Sequence, residues 1–382
     1  MEEIQPFYVM DLLARARALE AAGRSIIHME VGEPDFPTPE PIVRAGIAAL
    51  ERGDTHYTPA LGLPALRRAI ADHYAERFGI AIDPGRVVVT PGASGALQLT
   101  LGVLVNPGDT VLMADPGYPC NRHFVRLFEG GTCAVPVGEE TGYQLTAERV
   151  ARHWRDDTVA VLAASPANPT GTVIPRDELA AIAEVCRERG GALIVDEIYH
   201  QLVYDLEPFT ALAAGDDLFV INSFSKYFGM TGWRLGWIVA PEGYVRAIDK
   251  LAQNIFLAAP TPAQHAALAA FTPASRSITE ARRREFQARR DMLLPALREL
   301  GFRIPVTPQG AFYLYADVAP FSDDSHAFAE RLLEEAGVAL TPGRDFGANH
   351  PERYVRIACT TSLQNLKEGV ARIERFLGSR RS

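Results

Sequence analysis

From residue 87 onward the apolar positions fall into short runs separated by stretches of mixed polarity. Val87–Thr90, Val111–Ala114, Thr132–Val137, Val159–Ala164, Ala192–Asp196, Leu218–Asn222 and Leu235–Ala240 are rich in Val, Ile and Leu, which predicts strands. Between many of them the apolar spacing turns helical, as in Arg176 to Arg189. Short apolar runs alternating with helices predict an α/β fold: a large domain with a mostly parallel seven-stranded sheet between helices. Such sheets bind ligands beyond the carboxyl ends of their strands.

The flanking regions follow other patterns. Leu12, Leu13, Ala16 and Leu19 form an apolar stripe that predicts a helix over Asp11 to Ala22, stopped by Gly23. VGEPDFPTP, Val31 to Pro39, reads as a rigid extended loop because of its prolines, and Pro41 to Glu51 reads as a helix. Thr55 to Gly79 is a turn-rich loop leading into an amphipathic helix. Gln253 to Ala270 is apolar and alanine-rich, and Ser277 to Leu300 reads as one long surface or linking helix. After Gly301, short strands (Ala311–Ala316, Val338–Leu340, Tyr354–Ala358) and helices (His326–Ala336, Leu363–Leu377) predict a smaller α+β domain. The expected division is an N-terminal arm and part of the small domain over 1–40, the large domain over 41–275, and the C-terminal small domain over 276–382.

Composition narrows the classes. The 382 residues are 47% hydrophobic and 22% charged, as for a globular chain with a large core. The net charge of −9 argues against nucleic-acid and anionic-membrane partners. Val87 to Gly108 and Leu251 to Ser275 lack Asp, Glu, Lys and Arg, but proline and polar interruptions argue against membrane spans. The start, Met-Glu-Glu, lacks the basic region and apolar core of a signal peptide. Cys120, Cys133, Cys186 and Cys359 show no metal spacing, which predicts reduced thiols and a cytoplasmic location.

Unusual polar residues follow the predicted strands. Pro91 to Leu97, PGASGAL, opens a helix whose free N–H groups and Ser94 hydroxyl offer an anion site. Asp115 to Pro119, DPGYP, presents Tyr118, whose ring either stacks on an aromatic ligand or simply caps a turn. SPANPTG, Ser165 to Gly171, holds Asn168 as a hydrogen-bond donor. Asp196 ends an apolar strand, with Tyr199 at helical spacing after it. A buried carboxylate there needs a cation, either a pyridinium N–H or a structural arginine. SFSKYFGMTGWRLG, Ser223 to Gly236, sets Lys226 among hydroxyls with Arg234 downstream, which suits an imine to a carbonyl cofactor bearing a phosphate. A lone lysine is ordinarily solvated. Its company here supplies an amine, a carboxylate, hydrogen-bond donors, a stacking ring and an anion cradle, the set that pyridoxal 5′-phosphate requires.

These segments resemble the class I/II aminotransferases, fold-type I pyridoxal-phosphate enzymes of the aspartate aminotransferase kind. The resemblance runs from VGEPDFPTP to YVRIACTTS and is strongest in SPANPTG, DEIY and SFSKYFGMTGWRLG. It implies that Lys226 holds the cofactor and moves the proton, and that Asp196 faces the ring nitrogen. Asn168 and Tyr199 would bond the ring oxygen, and Tyr118 would stack. Ala93, Ser94, Ser223, Ser225 and Arg234 would hold the phosphate. Tyr57 would reach the phosphate of a second subunit, implying a homodimer with shared sites. Arg356 would clamp the substrate α-carboxylate, and the Gly32 backbone would close over it.

Substrate choice is less marked. Acid-selective relatives place a cation either at the position of Ser94 or in the neighbour's segment corresponding to Asn254 to Pro262, which is uncharged here. Phe7, Tyr8, Phe36 and Phe256 are candidate apolar walls, and Arg122 and Arg344 are candidate cations. The expectation is a neutral or aromatic L-amino acid as donor, with 2-oxoglutarate or pyruvate as acceptor. Two rivals stand beside it. One is a pyridoxal-phosphate lyase (C–S β-elimination) or decarboxylase on the same fold. The other is a non-catalytic ligand-sensing domain.

Overall fold

The computed structural model describes residues 7–378. The N-terminal part contributes α1 (Tyr8–Ala21), β1 (Ile27–His28), α2 (Glu40–Glu51) and α3 (Pro64–Phe78). The central region runs β2 (Val87–Thr90), α4 (Gly92–Leu104), β3 (Thr110–Asp115), α5 (Cys120–Leu127), β4 (Gly131–Pro136), α6 (Ala147–His153) and β5 (Thr158–Ala164). It continues with α7 (Arg176–Glu188), β6 (Ala192–Asp196), β7 (Phe219–Ser223), β8 (Gly236–Val239), α8 (Glu242–Ile255) and α9 (Thr261–Leu268). Helix α10 (Pro273–Glu299) leads into β9 (Tyr313–Asp317), α11 (Ser325–Arg331), β10 (Val338–Ala339), β11 (Thr341–Pro342), β12 (Tyr354–Ala358) and α12 (Leu363–Gly378).

The expected seven strands form one sheet in the order β2-β8-β7-β6-β5-β3-β4. Both faces are covered, and the side chains alternate between two apolar layers. Leu193 and Val195 of β6 enter one layer while Ile194 enters the other, beside residues of α4 and α8. The C-terminal part adds a three-stranded antiparallel sheet, β11-β12-β9, and β1 pairs with β10. The N- and C-terminal ends of the chain thus share one smaller α+β unit.

One strand departs from the parallel direction, and it positions the site. β8 is antiparallel to both neighbours, with Ser223 opposite Gly236 on one side and Thr90 opposite Gly236 on the other. The chain therefore leaves β7, reverses through 224–235, and returns at the same edge of the sheet. Lys226 and Arg234 consequently sit at one edge with the N-terminus of α4, where the parallel strands also end. Gly236 is required there. A Cβ would lie 2.7 Å from the Gly92 carbonyl carbon and 2.8 Å from the Ala93 nitrogen.

Two expectations change. The segment after Asp196 is a series of turns rather than a helix, so Tyr199 is placed by turn geometry. The apolar segment 253–270, left without an element by the sequence, is the end of α8 followed by α9. Helix α10 is not merely a surface helix: Phe286, Leu293, Leu294 and Leu297 are buried, and so are Arg289 and Arg290. Arg289 forks onto Asp35 at 2.8 and 3.1 Å, tying the proline-rich loop to this helix. Among the described residues no helix is long and apolar enough to cross a membrane.

Candidate active site

Turns after five strands meet at the carboxyl edge of the large sheet and enclose a cavity of about 240 Å³. Twelve of the residues singled out from sequence line it: Gly32, Ala93, Ser94, Tyr118, Asn168, Asp196, Tyr199, Ser223, Ser225, Lys226, Arg234 and Arg356. Tyr57 does not. It is 82% exposed and does not line this chain's own cavity.

Lys226 projects from the reversal between β7 and β8, and its Nζ donates to the Gly32 carbonyl at 2.7 Å. Burial lowers its pKa from 10.5 to about 8, with Glu33 opposing and Arg356 and Arg234 adding to the fall. A fraction of this amine is therefore neutral near neutral pH, as a nucleophile or base requires.

Asp196 terminates β6 and accepts the Ile198 N–H at 3.0 Å. Burial raises its pKa from 3.8 to about 6, with the Ile198 N–H and then Lys226 opposing the rise. No arginine, lysine or histidine among the described residues forms an ion pair with it. The structural-arginine alternative thus falls away, leaving a buried carboxylate that a ligand cation could pair.

The anion side is built from three sources. Helix α4 starts at Gly92 behind Pro91 with no side-chain cap, so its first N–H groups are free. Ser223 Oγ donates to Ser225 Oγ at 2.8 Å, which places both hydroxyls together. Arg234, held at φ 53°, donates from Nη1 to the Thr231 carbonyl at 3.0 Å. A Cβ at Gly92 would lie 2.7 Å from Arg234 Nη2, so the glycine lets the guanidinium reach the helix terminus.

On the opposite side, Arg356 lies in the middle of β12 and is 3% exposed. It donates from Nη1 to Asn168 Oδ1 at 2.9 Å and from Nη2 to the Glu30 carbonyl at 2.6 Å. Its Nε is buried without a partner, and no carboxylate among the described residues pairs with it. A buried guanidinium with spare donors suits a ligand carboxylate. Because Asn168 Oδ1 accepts from Arg356, its Nδ2 is the atom left to donate.

Sequence reasoning missed Tyr313. Its hydroxyl is 2.9 Å from that of Tyr199, and the Arg356 guanidinium lies 4.4 Å from its ring centroid. The signal lay in the sheet register: Arg356 faces Tyr315, so Tyr313 is its diagonal neighbour. Val9, Met10, Leu13 and Leu97 also line the cavity with the expected Phe7. Phe36 and Tyr8 do not: Phe36 packs edge-on to Phe286 beneath Arg282 and Arg289, and Tyr8 lies against His326 and Arg344. Phe256, in the segment expected to serve a neighbouring subunit, packs at the edge of the apolar layer of α4 and α8. Arg344 is drawn to that ring, and Arg122 points to the Asp345 carbonyl, so neither reaches the cavity.

Comparison with known proteins agrees with this geometry. The family model for aminotransferases of class I and II matches residues 24–373. A valine–pyruvate aminotransferase of Mycobacterium tuberculosis is 41% identical over 98% of this chain and 97% of its own. A crystal structure of an aminotransferase from that organism superposes with TM-score 0.96 at 40% identity, covering 99% of this chain and 98% of the other. The aspartate aminotransferase of Thermus thermophilus, solved with maleate, gives TM-score 0.93 at 35% identity over 98% of each chain.

Proposed function

Because the chain belongs to the class I and II aminotransferases and is a transaminase, we propose that its donor is a neutral or aromatic L-amino acid and its acceptor a 2-oxo acid such as pyruvate or 2-oxoglutarate. The observation that carries this reading is the charge of the cavity wall. Among the described residues its cations are Lys226, Arg234 and Arg356, and each already has a use. The remaining wall on the α1 side is Phe7, Val9, Met10 and Leu13. A side-chain carboxylate, on a donor or on an acceptor such as 2-oxoglutarate, would bury that charge unpaired at a cost of several kcal/mol, on the order given by ion desolvation, so of the two acceptors pyruvate fits this wall better. The valine–pyruvate relative is consistent with an apolar donor.

The residues fit pyridoxal 5′-phosphate. Asp196 would face the ring nitrogen, Tyr118 would stack, and Asn168 Nδ2 and Tyr199 Oη would donate to the ring oxygen. The α4 terminus, Ser94, Ser223, Ser225 and Arg234 would hold the phosphate, and Lys226 would form the covalent link. The cofactor, when bound, supplies a reactive carbonyl and an electron-accepting ring. The chain's own residues do the rest. Arg356 fixes the substrate carboxylate and so sets which Cα bond is presented for cleavage. Lys226 Nζ, with its pKa brought down to about 8 as a free amine, would take and hold the proton from the substrate Cα. Asp196 becomes a stable anion once a ring N–H⁺ neutralises it. The α1 residues exclude water from the reacting atoms.

The enzyme is read as a homodimer with shared sites, which gives the exposed Tyr57 a partner's phosphate to meet. Exposed Ile47, Leu50, Ile255 and Leu257 supply apolar surface for such a contact. The free cysteines fit a reducing cytoplasm.

Half-reaction rates for a donor panel, followed by the cofactor's absorbance, test the substrate reading. Valine, leucine or phenylalanine should exceed aspartate in kcat/KM. Aspartate as the best donor overturns the reading, and ammonia release without a 2-oxo acid would favour the lyase chemistry.

A further inference from the structure

Helix α1 starts at Tyr8, and its N-cap residue, Phe7, has no side-chain acceptor for the first-turn N–H groups. The acceptor comes from the far end of the chain. Asp345 Oδ1 accepts the Tyr8 N–H and Oδ2 accepts the Val9 N–H, each at 2.9 Å. Asp345 is 1% exposed and ends the short turn Gly343–Asp345 after β11. A carboxylate at a helix N-terminus also gains from the helix dipole.

The same loop reaches the rest of the site. The Phe346 carbonyl accepts the Gly117 N–H at 2.8 Å, one residue before Tyr118. The Phe346 ring lies 5.0 Å from the Arg356 guanidinium. The Ala348 N–H donates to Asp115 Oδ2 at 2.9 Å. One loop thus registers α1 against both the stacking ring and the carboxylate clamp. From α1 and its cap, Phe7, Val9, Met10 and Leu13 form the apolar side of the cavity.

We propose that Asp345 is a positioning residue for donor selection: by capping α1 it holds the apolar wall at the distance from Arg356 that suits a bulky apolar side chain. The inference rests on the donor reading given above. Asp345 itself touches no reacting atom. Its effect passes through the helix, so it should change discrimination between donors more than turnover.

The test compares three holoenzymes, wild type, Asp345→Asn and Tyr8→Pro, on alanine, valine, leucine and phenylalanine. Asp345→Asn replaces one acceptor oxygen with a donor. Tyr8→Pro leaves Asp345 intact and removes one of the two N–H groups. Proline is tolerated there because Tyr8 is the first helical residue and Phe7 is already extended (φ −88°, ψ 100°). In Asp345→Asn, KM for leucine and phenylalanine should rise about tenfold, within the range an apolar pocket discriminates. Values of kcat should stay within about twofold, and KM for alanine should hardly move. Tyr8→Pro should shift the same ratio by less. Amide hydrogen exchange over residues 8–13 should be faster in both. An unchanged leucine-to-alanine ratio in both variants overturns the proposal, as does an equal loss on every donor through kcat. If Asp345→Asn does not fold, Tyr8→Pro decides by the same criteria. A wild-type enzyme that prefers aspartate removes the donor reading and the selection claim with it, whereas a failure confined to the variants leaves the donor reading standing.

Discussion

Arg356 Nη1 donates to Asn168 Oδ1 across 2.9 Å, joining the middle of β12 to the turn after β5. The bond spans the two parts of the fold, so the group proposed to clamp a substrate carboxylate and the group proposed to face the cofactor ring hold each other in place. It also settles the direction of Asn168: the oxygen is committed, and the amide nitrogen is the atom left for a ring oxygen.

Arg356→Lys should therefore cost more than a charge-conserving change suggests. Lysine cannot make the planar fork that serves Asn168, the Glu30 carbonyl and a carboxylate together. The expected loss in kcat/KM is about 100-fold, or about 3 kcal/mol, for both amino and oxo acids, with cofactor absorbance retained. Steady-state kinetics in both directions checks it, and a loss confined to one substrate would contradict the assignment.

Gly32 faces a second constraint. A Cβ there would lie 2.0 Å from the Tyr313 hydroxyl, which is itself bonded to Tyr199. Gly32→Ala should displace Tyr313 and lower kcat/KM by about tenfold or more, on the scale of a misplaced positioning group. The double variant Gly32→Ala with Tyr313→Phe should recover part of the loss because the hydroxyl is the nearest obstacle. No recovery would mean that the glycine acts through its carbonyl bond to Lys226 instead.

Asp196 makes stability and function oppose each other. Burial raises its pKa from 3.8 to about 6, so the cofactor-free fold favours the protonated form. Its contribution is full below about pH 4 and is lost as pH rises through about 6. Cofactor-free Asp196→Asn should therefore be more stable than wild type at pH 8, by on the order of 2 kcal/mol, with the gap closing toward pH 4. Adding pyridoxal 5′-phosphate should stabilise wild type more than the variant, and activity should be nearly lost. Thermal melts at several pH values with and without cofactor measure this. A variant less stable than wild type at pH 8 would contradict the unpaired buried carboxylate.

Most of the site was legible because each chemical residue follows a strand, and strands announce themselves as apolar runs. That rule picked out Lys226, Asp196, Asn168 and Tyr118, and the resemblance supplied the role expected of each. Arg356 came from resemblance, because a lone arginine inside a short strand carries no local sign of its role. What stayed hidden depends on contacts between distant segments. Tyr313 reaches the site through cross-strand register, and the Asp345 cap joins residues 337 positions apart. Phe36 showed the converse. It is aromatic and lies in the loop that carries Gly32, yet it packs against Phe286, since hydrophobicity alone does not say which surface a side chain covers. The buried arginines of α10 were hidden for the same reason as Tyr313: Arg289 pairs with Asp35 and Arg290 with Asp205, both in segments far along the chain.

The covalent role of Lys226 admits a direct test, helped by composition: Lys226, Lys250 and Lys367 are the only lysines in the sequence. Borohydride reduction of the cofactor-loaded enzyme, followed by peptide mapping, should place a pyridoxyl group on Lys226, and Lys226→Ala should lose both the label and the near-visible absorbance. A label on Lys250 or Lys367 in the wild-type enzyme, or a reducible band that survives in Lys226→Ala, would contradict the assignment.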